Sequence, residues 1–174
     1  MNTSIIISLP LFFLLHELEE ILMVRSWIEK NGTLMHKRVP KLKRVIQVME
    51  QMTTRKFATI AFEELFIICI CTFASIQTGN QTAWYCCLAA FGIHLIVHII
   101  QSIVWLGYIP AIISTALCLP YCLWALQNTF RFFTQHELLL YTLSGTLLGA
   151  MNLTAMHLIM YRRSKPDNHK PGRT

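Results

Sequence analysis

Five runs of apolar residues, each long enough to cross a bilayer, constrain this chain more than any other feature. Lipid offers no partner for an unpaired backbone group, so a spanning segment must be a helix or belong to a closed barrel. As a helix it needs about 20 largely apolar residues. The runs predict spans at Ile5–Val24, Phe57–Thr78, Thr82–Leu106, Ile109–Phe130 and Leu138–Tyr161. Only 14% of residues are charged, against about 25% in soluble domains, which excludes disorder and an ordinary water-facing surface. Six cysteines in 174 residues are too few for a disulfide scaffold. The first run is read as a span rather than a removable signal peptide. No basic residue precedes it, and no small-residue cleavage site follows. The expected fold is an all-α integral membrane protein, a five-transmembrane-helix bundle forming one domain over residues 1–161. Residues 162–174 are expected to be a disordered cytoplasmic tail.

Charge sets the expected orientation. Nine of the fifteen lysines and arginines lie between Arg25 and Lys56, and five lie from Arg162 onward. The positive-inside rule then places the N-terminus outside and the C-terminus in the cytoplasm. The net charge of +6 is thereby a topology signal, and nucleic acid is an unsuitable partner. Val45, Val48, Met49 and Met52 recur at helical spacing among Lys41, Lys43, Arg44 and Gln47. That pattern predicts an interfacial amphipathic helix between spans 1 and 2, in contact with membrane lipids.

Acids and histidines inside the spans are costly, on the order of 2.5–3.5 kcal/mol per charged group at the bilayer centre. Five of the nine acids, Glu17, Glu19, Glu20, Glu63 and Glu64, nevertheless lie there, with His16, His94, His98 and His157. Counting at 1.5 Å per residue, all fall within roughly 6–18 Å of the expected cytoplasmic boundary. His16 shares a helix face with Glu19 and Glu20, and His94 shares one with His98, which Gln101 and Trp105 extend. Ligands one turn apart let a helix grip a metal with two side chains. The expected ligands are His16, Glu20, His94, His98 and His157, with one of Glu63 and Glu64 facing inward. Glu19 is the expected proton acceptor, and Glu17, Gln101, Trp105 and Asn152 are expected to line the substrate site. The bland alternative is helix–helix hydrogen bonding, which suits a lone histidine such as His157 better than two ligand-spaced pairs.

His16-x-x-Glu19-Glu20 in an N-terminal apolar segment resembles the signature of the HXXEE-domain family, small multi-span proteins found mostly in bacteria. Glu63/Glu64 and His94/His98 match its further glutamate and histidine. The resemblance implies a presumed membrane enzyme, located in a bacterial inner membrane, and carries no reaction.

These readings point to a metal-dependent membrane enzyme. Hydrolysis of a lipid-like, amphiphilic substrate is favoured with zinc as the divalent cation. Iron is compatible, because imidazole suits both, although the Glu-x-x-His pair usual in di-iron bundles is missing from the spans. A proton or metal-ion transporter is the competing class, since buried acids and histidines also mark ion pathways. The six cysteines read as small apolar residues. Gly145-x-x-x-Gly149 permits close packing of the last span, within the chain or in a homo-oligomer.

Overall fold

The computed structural model describes residues 1–162, and these form helices and short connections with no strand among them. The helices are α1 (Thr3–Arg38), α2 (Lys43–Glu50), α3 (Thr54–Thr78), α4 (Thr82–Trp105), α5 (Ile112–Thr129) and α6 (Gln135–Arg162). Three of them, α3, α4 and α6, are long and apolar enough to cross a membrane. Glutamates 17, 19 and 20 dilute the apolar character of α1, and Pro120, Gln127 and Asn128 that of α5. The expected tail lies outside the described residues except for Arg162, which ends α6.

Local sequence explains the helix ends. Asn2 caps α1 by accepting from the Ser4 amide, and Thr53 caps α3 by accepting from the Lys56 amide. Gly79 ends α3 in the left-handed conformation (φ 73°), where a side chain would be strained. The first helix departs from expectation. It continues without a break past Val24 to Arg38, 36 residues in all, or about 54 Å at the usual rise. Asn31-Gly32 in this stretch is a turn signal, yet the helix runs through it with Gly32 buried close to Glu50, and side-chain contacts hold the extension. Arg25 pairs with Glu29 and reaches the Glu50 carbonyl at 2.8 Å, while His36 meets the Glu50 carboxylate at 3.1 Å. Trp27 donates to the Tyr108 carbonyl and packs edge-on against Trp105. The short helix after this extension is α2. Its buried residue is Ile46, while Val45, expected on the apolar face, is exposed.

The core is gathered around α4. Trp84, Leu88 and Leu95 are fully buried against Ile6 and Leu9 of α1 and Cys118 and Ala125 of α5. Pro10 sits inside α1 and has no N–H, so the Ile6 carbonyl loses its helical donor. The buried indole of Trp84 supplies the missing hydrogen bond at 3.1 Å, and Tyr121 of α5 donates to the neighbouring Ile5 carbonyl at 2.9 Å. Two aromatic donors thus clamp the start of α1 to α4 and α5.

On the other side, α4 packs along α6 through small residues. A Cβ on Gly145 would collide with the Cys86 backbone, and one on Gly149 would press the Ala90 side chain at 3.2 Å. The Gly145-x-x-x-Gly149 pair therefore serves an intrachain contact, in which Cys86 and Ala90 form the matching i, i+4 surface. Because backbone cannot step aside as a side chain can, Gly145→Ala is expected to destabilise the fold by about 1–3 kcal/mol. A thermal melt of the detergent-solubilised variant should move several degrees down, with Ser144→Ala as the near-neutral control.

Candidate metal centre

His16, Glu20, His94 and His98 converge, each offering one donor atom, all within 4.8 Å of one another. Helical spacing produces the convergence. His16 and Glu20 stand one turn apart on α1, His94 and His98 one turn apart on α4, and the two faces meet. The His94 and His98 Nε2 atoms are 3.0 Å apart, and the nearer Glu20 oxygen lies 4.0 and 3.9 Å from them. The His16 ring packs edge-on against both histidines, with centroids 5.2 and 5.0 Å away.

The chemistry of His16 follows from its other nitrogen. The Ser114 hydroxyl donates to the Ala111 carbonyl at 3.1 Å, so its oxygen receives the N–H of His16 Nδ1 at 3.3 Å. With the proton on Nδ1, Nε2 carries a free lone pair. That Nε2 is buried and has no hydrogen-bond partner, in a side chain with no exposed surface. An orphaned acceptor facing two imidazoles and a carboxylate costs about 1–3 kcal/mol. A cation at the centre would satisfy all four donors. Three imidazoles and one carboxylate are a donor set that suits zinc, with a second-sphere hydrogen bond fixing the His16 tautomer.

The remaining candidates divide. Both oxygens of Glu19 are engaged away from the four donors. One accepts from the Tyr108 hydroxyl at 3.0 Å, and the other from the Ser114 backbone amide at 2.6 Å. Glu19 thus ties α1 to the first turn of α5, where a carboxylate is favoured by the helix dipole. Both oxygens of the residue expected to accept a proton are therefore taken up outside the donor group. Desolvation and the bond to Glu19 push the Tyr108 phenol up to about 12, so it remains a donor. Glu17 is buried and faces α3, close enough to Glu20 and Glu64 for the three carboxyls to act on one another electrostatically. Of the α3 pair, Glu63 accepts from Asn152 at 3.0 Å, and Glu64 lines a cavity beside His94 and Asn152.

His157, expected as a ligand, is outside the converging set. Its Nδ1 meets the Leu153 carbonyl of its own helix at 2.9 Å and its ring abuts Phe57. Gln101 is exposed, and Trp105 is occupied by Trp27 and by Arg38, whose guanidinium lies 4.7 Å over the ring. Neither is among the four donors or the residues lining the cavity. Asn152 does line the cavity, as expected.

Ser114 and Tyr108 carry no signal in the sequence. Their roles depend on the α4–α5 connection, in which Leu106 and Ala111 take left-handed backbone angles (φ 56° and 66°). Such non-glycine angles cost of order 1 kcal/mol or more each and persist where the surroundings impose them.

His16, Glu19 and Glu20 stand in the order His-x-x-Glu-Glu, and a family model defined by that motif matches residues 7–125. The chain belongs to the HXXEE family. Its description is a protein of unknown function with HXXEE motif. All four converging donors lie within the matched residues, whereas Asn152 and His157 lie beyond them. No curated protein and no solved structure matches the chain. Of the three defining motif residues, the structure brings His16 and Glu20 to the donor cluster and uses Glu19 to hold α5. Glu19→Gln removes the charge that accepts the Ser114 amide and should destabilise the fold by about 1.5–3 kcal/mol. Its melt, compared with that of the exposed control Lys30→Gln on the same helix, checks this.

Proposed function

We propose that this HXXEE protein is an integral-membrane, metal-dependent hydrolase that acts on a lipid-like amphiphile. In this reading all five long helices span the bilayer, the N-terminus is outside, and α2 lies on the inner leaflet. The observation that carries the proposal is the buried, unpartnered His16 Nε2 facing His94, His98 and Glu20. A structural cluster of hydrogen bonds would pair that atom, whereas a metal site requires it free.

His16, His94, His98 and Glu20 would hold one divalent cation, zinc in preference to iron, since the donors form a single group among the described residues. Such a cation, when bound, supplies Lewis acidity and lowers the pKa of a coordinated water toward ~7. The chain's own residues do the rest. Ser114 fixes the His16 tautomer, and Glu19 fixes Ser114 by holding its amide. Glu64 lines the same cavity as His94, and we assign it the proton-accepting role. Asn152 holds Glu63 by a hydrogen bond and lies against Glu64, the carboxyl of the pair that lines the cavity.

The test is elemental analysis of the purified protein. It is expected to retain near-stoichiometric zinc or iron, which His94→Ala abolishes. Ser114→Ala should lower metal affinity about 10- to 100-fold without removing a ligand. Folded protein that holds only trace metal after metal resupply overturns the reading, and ion flux in liposomes from that metal-free protein would establish the transport alternative.

A further inference from the structure

A cavity of about 890 Å³ runs between α3 and α6 with α4 as its floor. Its size falls in the range of small-molecule sites. At one end stand Glu64, His94 and Asn152, and the middle is walled by small residues such as Ala90, Gly145 and Gly149. The polar end is closed. There α3 and α6 meet through the Asn152–Glu63 hydrogen bond and through Ile60 packed with Met160. Beyond that junction the cavity separates the two helices and continues toward the α3–α4 turn, where Thr78 and Thr82 line it.

The dimensions fit one hydrocarbon chain. His94 and Thr82 are separated by about 18 Å along α4, comparable with the ~15 Å depth of one bilayer leaflet. Gly145 and Gly149 hold α6 close on α4, and the small side chains of Ala74, Ala83 and Ala90 line the passage. An apolar groove gains little by taking a chain out of lipid, since lipid tails are as apolar as its walls. Selection must therefore come from the polar end and from shape. Carboxyls at that end disfavour an anionic head. The Asn152 amide already donates to Glu63 and lies against Glu64. The group left to meet a head is therefore the Glu64 acceptor, which suits an uncharged head that donates.

We infer that this cavity binds a single-chain amphiphile with an uncharged amide head, the head lying beside His94 and Glu64 and the chain running toward the α3–α4 turn. This rests on the proposed hydrolase reading and names the class of its substrate. Ala74 and Ala83 are exposed residues lining the groove toward the α3–α4 turn, so a large side chain at either would shorten it.

The experiment uses the full chain in nanodiscs with spin-labelled hexadecanamide as probe, read by electron paramagnetic resonance. The wild-type protein is expected to give an immobilised component that unlabelled hexadecanamide displaces and hexadecane, which lacks a head, does not. Ala74→Trp and Ala83→Trp should lose that component for hexadecanamide and keep it for spin-labelled octanamide, with melting temperature and metal content unchanged. Displacement by hexadecane as effective as by the amide would show an unselective lipid contact and overturn the inference. So would an unaltered hexadecanamide signal in both tryptophan variants, or no immobilised component in the wild type. Metal content is measured separately, so loss of the chain-binding claim leaves the metal-centre reading to be judged on its own result.

Discussion

Ionisable groups packed among apolar helices need partners, and in this chain they have been placed to face one another. A single glutamate or histidine in such surroundings costs several kcal/mol. Here His16 and Glu20 of α1 meet His94 and His98 of α4, Glu63 meets Asn152 of α6, and Glu19 meets the start of α5. Each polar contact therefore also fixes how two helices pack. The polar groups that make the site are the same groups that set its geometry.

The centre of this arrangement is α4, which serves two purposes on two faces. One face carries the histidine pair and the fully buried Trp84, Leu88 and Leu95 that pack on α1 and α5. Another carries Cys86 and Ala90, against which Gly145 and Gly149 bring α6 into close approach. His94 lies where the faces meet, belonging both to the donor cluster and to the cavity wall. A side chain that touches both the metal donors and the apolar passage is the link between the chemistry and the molecule it would act on.

Much of the donor set was legible from spacing. His16/Glu20 and His94/His98 are i, i+4 pairs, and a helix places such residues on one face without help from other elements. Depth counted from the charged connections brought those pairs to one level, and the structure joins them. The same count placed His157 at that level, yet its ring is held on its own helix beside Phe57. Depth along a helix says nothing of rotation about it, and α6 turns Asn152 toward the cavity instead. Glu19 illustrates a second limit. The motif showed a carboxylate beside two ligands, but its partners, the Ser114 amide and the Tyr108 hydroxyl, are about 90 residues away in the chain.

By itself the sequence determined that the chain is helical and apolar, that its acids and histidines are buried in quantity, and which pairs share a helix face. Those properties are local, set by composition and by a period of 3.6 residues. Only the tertiary structure decided which of those groups meet. It carried α1 past Val24 to Arg38, assigned the Gly145/Gly149 pair to an intrachain contact, and opened the cavity between α3 and α6. It also left His16 with a buried free lone pair among three other donors. These outcomes depend on helix rotation and crossing, which side-chain packing between distant segments fixes and a one-dimensional pattern does not encode.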